Sequence, residues 1–283
     1  MSYANYKSRM GIETRGEKMN SKSVFFGIVL AVVSLAFASE NNAFASTDTL
    51  AQIKETGELR VAVPQDFPPF GSVGADMKPI GYDIDMAELI AKDLGAKLKL
   101  VPVTSTNRIP YLTTGKVDLA ISSLGKNAER EKVIDFTKPY APFYNGVFGP
   151  ADIVIKDAAG LADKTIAVTK GSIEDLELSK IAPTSTEIQR YEDNSSTISA
   201  YLSGQVKLVA TGNVVAASIN EQDPANKLEP KFLIKNSPCF IGLNKNQPAL
   251  QAKVNAIIEA AKKDGRLEAI SEKWLHIALP KDL

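Results

Sequence analysis

The sequence predicts a two-lobed α/β protein with mainly parallel sheets, in which two strands connect the lobes as a hinge. Three observations predict it. Short β-rich runs alternate with amphipathic helical stretches over residues 59–122, and the same alternation restarts at residue 165. Two β-like connectors bounded by Gly or Pro, residues 145–148 and 236–242, separate these blocks. The chain then ends in two helical stretches, residues 248–265 and 266–275, with no strand between them. Those helices need a sheet to cover, and the first block is the economical candidate. The expected organisation is a discontinuous lobe 1 (residues 46–144 plus 239–283) and a continuous lobe 2 (residues 145–238), preceded by a separate segment over residues 1–45.

Each element follows from local pattern. Leu59-Arg60-Val61-Ala62-Val63 reads as a buried strand that stops at Pro64. Residues 83–94 place Ile84, Met86, Ala87, Ile90, Ala91 and Leu94 on one helical face, and Gly95 stops the helix. A strand follows over residues 97–103, a short helix over 108–114 ended by Gly115, and a third strand over 119–122. The β-α-β-α-β order implies parallel pairing with helices on both faces. In the second block, strands are expected at 165–169 and 208–210, with helices at 172–180, 196–202 and 213–220.

Bulk composition narrows the function classes. The 283 residues carry 33 basic and 33 acidic side chains, so the strong positive surface that nucleic acid requires is missing. Apolar content of 44% supports packed cores. One Cys and one His offer no recognisable metal-ligand spacing, and Cys239 has no partner for an internal disulfide. No cofactor motif is present, and the Gly-Lys-Ser/Thr of a phosphate-binding loop is absent. His276, near the C-terminus, reads as a surface residue.

The first 45 residues read as a targeting segment. Lys18 and Lys22 precede an apolar run over residues 24–38, and Ala43-Phe44-Ala45 has the small-x-small form of a cleavage site. The run is short for a membrane span, although an uncleaved anchor is the alternative reading. Met19 is a second candidate start. Export with cleavage near Ala45 is the expectation, leaving a nearly neutral, slightly acidic mature chain.

Candidate chemistry sits where strands end and helices begin, because open α/β sheets bind ligands at the carboxyl ends of their strands. Three such junctions are polar: Ser122-Ser123-Leu124-Gly125, Thr169-Lys170-Gly171-Ser172 and Thr211-Gly212-Asn213. Ser105, Thr106, Asn107 and Arg108 add a fourth polar loop. Ser172 is a good N-cap with Asp175 three residues on. The free N–H groups at such a helix start favour an anion, although capped helices are also common without one. Arg130, seven residues after Ser123, carries a fork that suits a carboxylate; alone, an Arg among Glu129, Glu131 and Lys132 reads equally as a solvated charge.

The segment Gly81-Tyr82-Asp83-Ile84-Asp85-Met86-Ala87 resembles the G-[FY]-D-[IV]-D-[LM]-A signature of bacterial extracellular solute-binding proteins of family 3. Asp66-Phe67-Pro68-Pro69-Phe70, Gly115-Lys116-Val117-Asp118 and Ala128-Glu129-Arg130 before Val133-Ile134-Asp135-Phe136 extend that resemblance along the mature chain, in order and spacing. It implies the two-lobed periplasmic-binding-protein fold, periplasmic localisation, a small anionic or zwitterionic solute, a separate ABC permease as partner, no enzyme activity and a monomer. By position, it implies that Phe67 packs over the solute. It also implies that Ser122 and Ser123 bond the solute's α-carboxylate and α-amino groups, that Arg130 clamps the α-carboxylate, and that Gly171, Ser172 and Ile173 receive that carboxylate from lobe 2.

Two positions depart from the pattern. The family's usual Asp, the partner of an α-ammonium, is replaced by Gly212, with Asn213 next to it offering only a neutral carbonyl. Glu174, Glu192 and Asp193 are candidate substitutes; otherwise the solute carries no amine. Thr104-Ser105-Thr106-Asn107-Arg108-Ile109-Pro110 resembles the loop of glutamate/aspartate-binding members, where Arg108 would read a second carboxylate; an Arg turned to solvent is the alternative. Lys126 and Lys170 would add positive potential to the same cleft. The expected function is therefore delivery of a small carboxylate solute (a polar or acidic amino acid, or a dicarboxylate) to an ABC importer. The alternative is a periplasmic dehydratase of the cyclohexadienyl dehydratase type on the same fold, with Glu174 as its acid.

Overall fold

The computed structural model describes residues 48–225 and 227–283; the leader and its cleavage near Ala45 lie outside the described residues. In chain order the elements are α1 (Thr49–Thr56), β1 (Glu58–Val63), β2 (Ser72–Val73), β3 (Pro79–Ile80), α2 (Tyr82–Leu94), β4 (Lys97–Pro102), α3 (Arg108–Thr113), β5 (Leu119–Leu124), α4 (Ala128–Val133) and β6 (Ile134–Ala141). Then come β7 (Tyr144–Gly149), β8 (Thr165–Thr169), α5 (Ile173–Ile181), β9 (Glu187–Tyr191), α6 (Asn194–Leu202), β10 (Val209–Gly212), α7 (Asn213–Gln222) and β11 (Glu229–Asn236). Strand β12 (Cys239–Asn244) and helices α8 (Pro248–Lys263) and α9 (Arg266–Leu275) close the chain.

These elements build two five-stranded sheets, ordered β4-β1-β5-β12-β6 and β11-β7-β10-β8-β9. The expected parallel order holds for β4-β1-β5 in one sheet and β10-β8-β9 in the other. The remaining strands pair antiparallel: β12 runs against β5 and β6, and β7 runs against β10 and β11. The sheets are mixed because the passages between lobes enter as strands. The chain leaves the first sheet after β6, enters the second at β7, and returns from β11 to β12. Residues 142–143 and 237–238 are therefore the two crossings.

Side-chain alternation explains why both faces of each sheet are covered. In β1, Leu59, Val61 and Val63 join the large cluster under α2, α8 and α9, while Ala62 turns to the α3 side with Leu112 and Val117. In β8, Ile166 and Val168 face Leu161 and Leu178, while Ala167 faces the α6 and α7 side. The tail helices α8 and α9 do cover the first sheet, with Val254, Ile258, Leu267 and Leu275 buried against it.

Four residues of the 81–85 segment have a distinct physical task. Gly81 holds φ 139, and a Cβ there would stand 2.3 Å from the Phe70 carbonyl oxygen, so only glycine fits. The Tyr82 hydroxyl donates to the Tyr140 carbonyl at 2.8 Å, tying α2 to β6. Asp85 accepts from Lys273 Nζ and Trp274 Nε1, both at 2.7 Å, and so fastens α9 to α2. Asp83, fully buried, reaches under the strand end of β5.

Candidate functional site

A polar cavity lies between the two sheets, lined from one lobe by Phe67, Ser105, Arg108 and Ser123, and from the other by Thr169, Ser172, Ile173, Glu174, Asn194, Ala210 and Thr211. Phe143, at the first crossing, and Asn145, in β7, complete the wall. Strand ends supply it as the fold class requires: Ser123 near the end of β5, Thr169 at the end of β8, and Thr211 near the end of β10.

The β5 end is held in a costly conformation. Ser123 has φ 41, in the left-handed region, a strain of about 1–3 kcal/mol for a residue with a side chain. The Asp83 carboxylate compensates by accepting from Ser123 N at 2.7 Å and from the Tyr140 hydroxyl at 2.5 Å. Burial pushes the Asp83 carboxyl up to about 7, against those two hydrogen bonds and the nearby Arg108 charge, which favour the ionised form.

Arg108 turns inward and is 5% exposed, so of the two readings of this residue the solvent-facing one is excluded. Its Nη1 donates to the Ser122 carbonyl at 2.6 Å, while its Nε is a buried donor without a partner. Burial lowers its pKa, with Glu174 across the cavity the leading charge that opposes the shift. Glu174 is 6% exposed; burial raises its pKa, while its own backbone N–H, the Ser172 hydroxyl, Arg108 and Arg130 favour the carboxylate.

The start of α5 forms as its sequence indicates. Ser172 Oγ accepts from Asp175 N at 3.1 Å, and Asp175 Oδ2 accepts from Gly171 N at 2.9 Å. Gly171 has φ 72, and a Cβ there would meet Thr106 Cγ2 at 3.3 Å, so this turn lies directly against the opposite lobe.

Of the residues expected to touch a solute, Phe67, Arg108, Ser123, Ser172 and Ile173 share the cavity wall, and Ser122, Arg130, Gly171 and Asn213 stand outside it. Each of the four has another engagement. The Ser122 carbonyl anchors Arg108. Asn213 Oδ1 accepts from Tyr144 N at 3.0 Å, beside the crossing. Arg130, 4% exposed, donates from Nη1 to the Gly125 carbonyl at 2.7 Å and from Nη2 across the cleft to the Gly171 carbonyl at 2.9 Å. Its pKa is pushed down to about 9, first by burial and then by Arg108. Lys126 and Lys170 spend their charge on exposed acids, Glu131 and Glu192.

Two further bridges join the lobes. Asp66 accepts from Asn194 N at 2.8 Å, Asn194 Nδ2 at 3.2 Å and Ser195 N at 3.4 Å, at the start of α6. Asn127 Nδ2 donates to Glu177 Oε1 at 3.1 Å.

Sequence reasoning missed Phe143, Asn145 and Asn194. Asn194 follows an N-cap Asp, which is a local helix signal and says nothing of a cleft. The role of Phe143 appears only in space. A Cβ on Gly212 would stand 1.9 Å from Phe143 Cζ and 2.3 Å from its Cε2. The ring therefore occupies the place where a side chain at position 212 would begin. It packs edge-on against Phe70 with centroids 5.4 Å apart.

The chain resembles several characterised proteins along most of its length. It is 30% identical over 260 residues to the ABC transporter glutamine-binding protein of Bacillus subtilis, covering 89% of this chain and 94% of that one. The crystal structure of a solute receptor for L-cysteine from Neisseria gonorrhoeae matches with a TM-score of 0.75, at 32% identity over 83% of this chain and 96% of that one. A shorter match, 34% identical over 116 residues, is to cyclohexadienyl dehydratase of Pseudomonas aeruginosa and covers 41% of this chain and 43% of that one. The model of the bacterial extracellular solute-binding proteins, family 3, matches residues 59–277, from β1 to beyond α9. With two mixed sheets, two crossings and a polar cavity between strand ends, the chain belongs to that family.

Proposed function

We propose that this chain is a periplasmic solute-binding protein that holds a small carboxylate-bearing solute between its lobes and delivers it to a separate ABC importer. The solute is a polar or acidic amino acid, or a dicarboxylate. The protein acts as a monomer without cofactor or catalysis, exported by a leader cleaved near Ala45. Lobe divisions at 144/145 and 238/239 belong to the same proposal.

One observation carries the reading: Arg108 is buried in the cavity wall with Nε unpartnered. A buried donor left unbonded costs about 1–3 kcal/mol, and a carboxylate accepting from the guanidinium removes that cost. Ser172 and the start of α5 face the same cavity from the other lobe, where an anion is also favoured. Arg130 and Gly171 then act by joining the lobes, and solute binding favours the joined form.

Thermal-shift screening with amino acids and dicarboxylates tests the reading. A solute at 100 times its Kd adds about 2.7 kcal/mol of stability, or about 5–11 °C in Tm at roughly 2–4 °C per kcal/mol. Arg108→Ala is expected to abolish the shift. A panel in which no carboxylate raises Tm refutes the proposal.

The dehydratase reading has one observation in its favour, a buried carboxylic acid, Glu174, in the cavity wall. Incubation with prephenate or arogenate distinguishes it, because turnover lost on Glu174→Gln would replace the transport reading.

A further inference from the structure

We infer that Glu174 supplies the counter-charge for a ligand ammonium in place of a residue at position 212, so that the cavity takes a zwitterionic amino acid with its carboxylate toward Arg108. The inference rests on the carboxylate-binding proposal above and narrows it.

Position 212 has no room for a counter-charge while Phe143 stands there, because the first side-chain atom would already overlap the ring at 1.9 Å. The replacement must therefore come from another part of the wall. Among the described residues lining the cavity, Glu174 is the one carboxylate and Arg108 the one cation. The other candidate acids are committed elsewhere. Glu192 pairs with Lys170 at 2.8 Å on the exposed rim, and Asp193 accepts from Ser196 N at 2.7 Å as the cap of α6. Both oxygens of Asp83 are taken, by Ser123 N and the Tyr140 hydroxyl.

Glu174 and Arg108 come from opposite lobes, on α5 and α3. A solute with both a carboxylate and an ammonium meets each with its opposite charge and bridges the lobes. A dicarboxylate satisfies Arg108 but sets a second anion near Glu174, which costs affinity in a poorly solvated site. The raised pKa of Glu174 agrees with a carboxyl that lacks a cation in direct contact, and a bound ammonium would lower it again.

The test is isothermal titration calorimetry on the mature protein with matched pairs: L-glutamine and glutaramate, L-glutamate and glutarate, L-alanine and propionate. The same titrations are made on Glu174→Gln, an isosteric change, and on Arg108→Ala, with circular dichroism confirming that each variant folds. For at least one pair, the amino acid should bind wild type about 30-fold or more tightly than its deamino partner, the loss typical when one member of a buried charge pair is removed. In Glu174→Gln that preference should collapse to within about threefold, while the deamino acid binds as well as before or better. Arg108→Ala should weaken both members of the pair.

An amino-acid preference that survives Glu174→Gln overturns this inference and leaves the carboxylate reading standing. Equal binding of both members by wild type does the same. Absence of binding by every compound overturns the carboxylate reading itself, and this inference with it. Turnover of arogenate that is lost in Glu174→Gln also overturns the inference, by assigning the residue to acid catalysis.

Discussion

Gly212→Ala tests the packing on which the reading of the cavity depends. Gly212 has φ −78 and ψ 147, a conformation open to any residue, so its backbone makes no demand for glycine. The Phe143 ring alone makes that demand, at 1.9, 2.3 and 2.9 Å from an added Cβ. A methyl group there forces the ring, which is 7% exposed, out of its contact with Phe70. Overpacking costs about 1–3 kcal/mol, and the lost edge-on contact adds about 1. The total is about 2–4 kcal/mol, a fall in Tm of roughly 4–16 °C at about 2–4 °C per kcal/mol. Urea unfolding of wild type, Gly212→Ala, Phe143→Ala and the double variant measures it as a cycle. Phe143→Ala alone should cost about 3–5 kcal/mol. In that background the methyl group should cost less than about 0.5, giving a coupling of about 2 kcal/mol or more. Equal costs in both backgrounds would show that the ring does not fill this space.

Three other perturbations follow from contacts already described. The Asp83 carboxyl, ordinarily near 3.9 in an unfolded chain, stands at about 7 in the folded protein. The folded state therefore binds the extra proton, and stability should fall as pH rises from about 4 to about 7; Asp83→Asn should flatten that slope in urea titrations across the window. Asp66→Ala removes the acceptor of three N–H groups at the start of α6 and should weaken solute binding by about 5- to 100-fold, corresponding to about 1–3 kcal/mol for lost charge-assisted bonds; calorimetry checks it. Asp118 accepts from Arg60 N at 2.8 Å, Nε at 3.2 Å and Nη2 at 2.6 Å, just before β5 and away from the cavity. Asp118→Asn should lower stability by about 1.5–3 kcal/mol with Kd unchanged, measured by urea unfolding and calorimetry together.

Elements with strong period and punctuation were legible in the sequence. Residues 83–94 and 165–169 read correctly because one carries a helical apolar face stopped by Gly95 and the other a compact β-branched run. Strand β9, Glu-Ile-Gln-Arg-Tyr, escapes such reading: it is an edge strand with polar residues, and its pairing to β8 is decided by the sheet. The antiparallel crossings escape for a similar reason, since pairing direction is a property of two distant segments. At the site, Arg108 and the Ser172 cap were visible as residue types at strand ends and helix starts. The absence of an Asp at position 212 was visible too, but its cause was not. Gly212 and Phe143 are 69 positions apart and communicate only through touching atoms. Arg130 shows the converse limit, because local sequence supplied the right charge while the fold directed its two terminal nitrogens to main-chain carbonyls.

Those bridges across the cleft separate how long a solute stays from which solute is chosen. Arg130 ends on the Gly171 carbonyl and Asp66 on two backbone amides; Asp66 also holds the side chain of Asn194, which lines the cavity, but the main-chain bonds touch no side chain that distinguishes one small solute from another by shape. Free energy contributed by them enters every Kd equally and cancels in the ratio between two competing solutes. Strengthening or weakening a bridge therefore moves the whole ladder of affinities up or down together, acting chiefly through the dissociation rate. The residence time of the cargo and the breadth of the menu are thus set by different residues, and either can drift over evolution while the other is preserved.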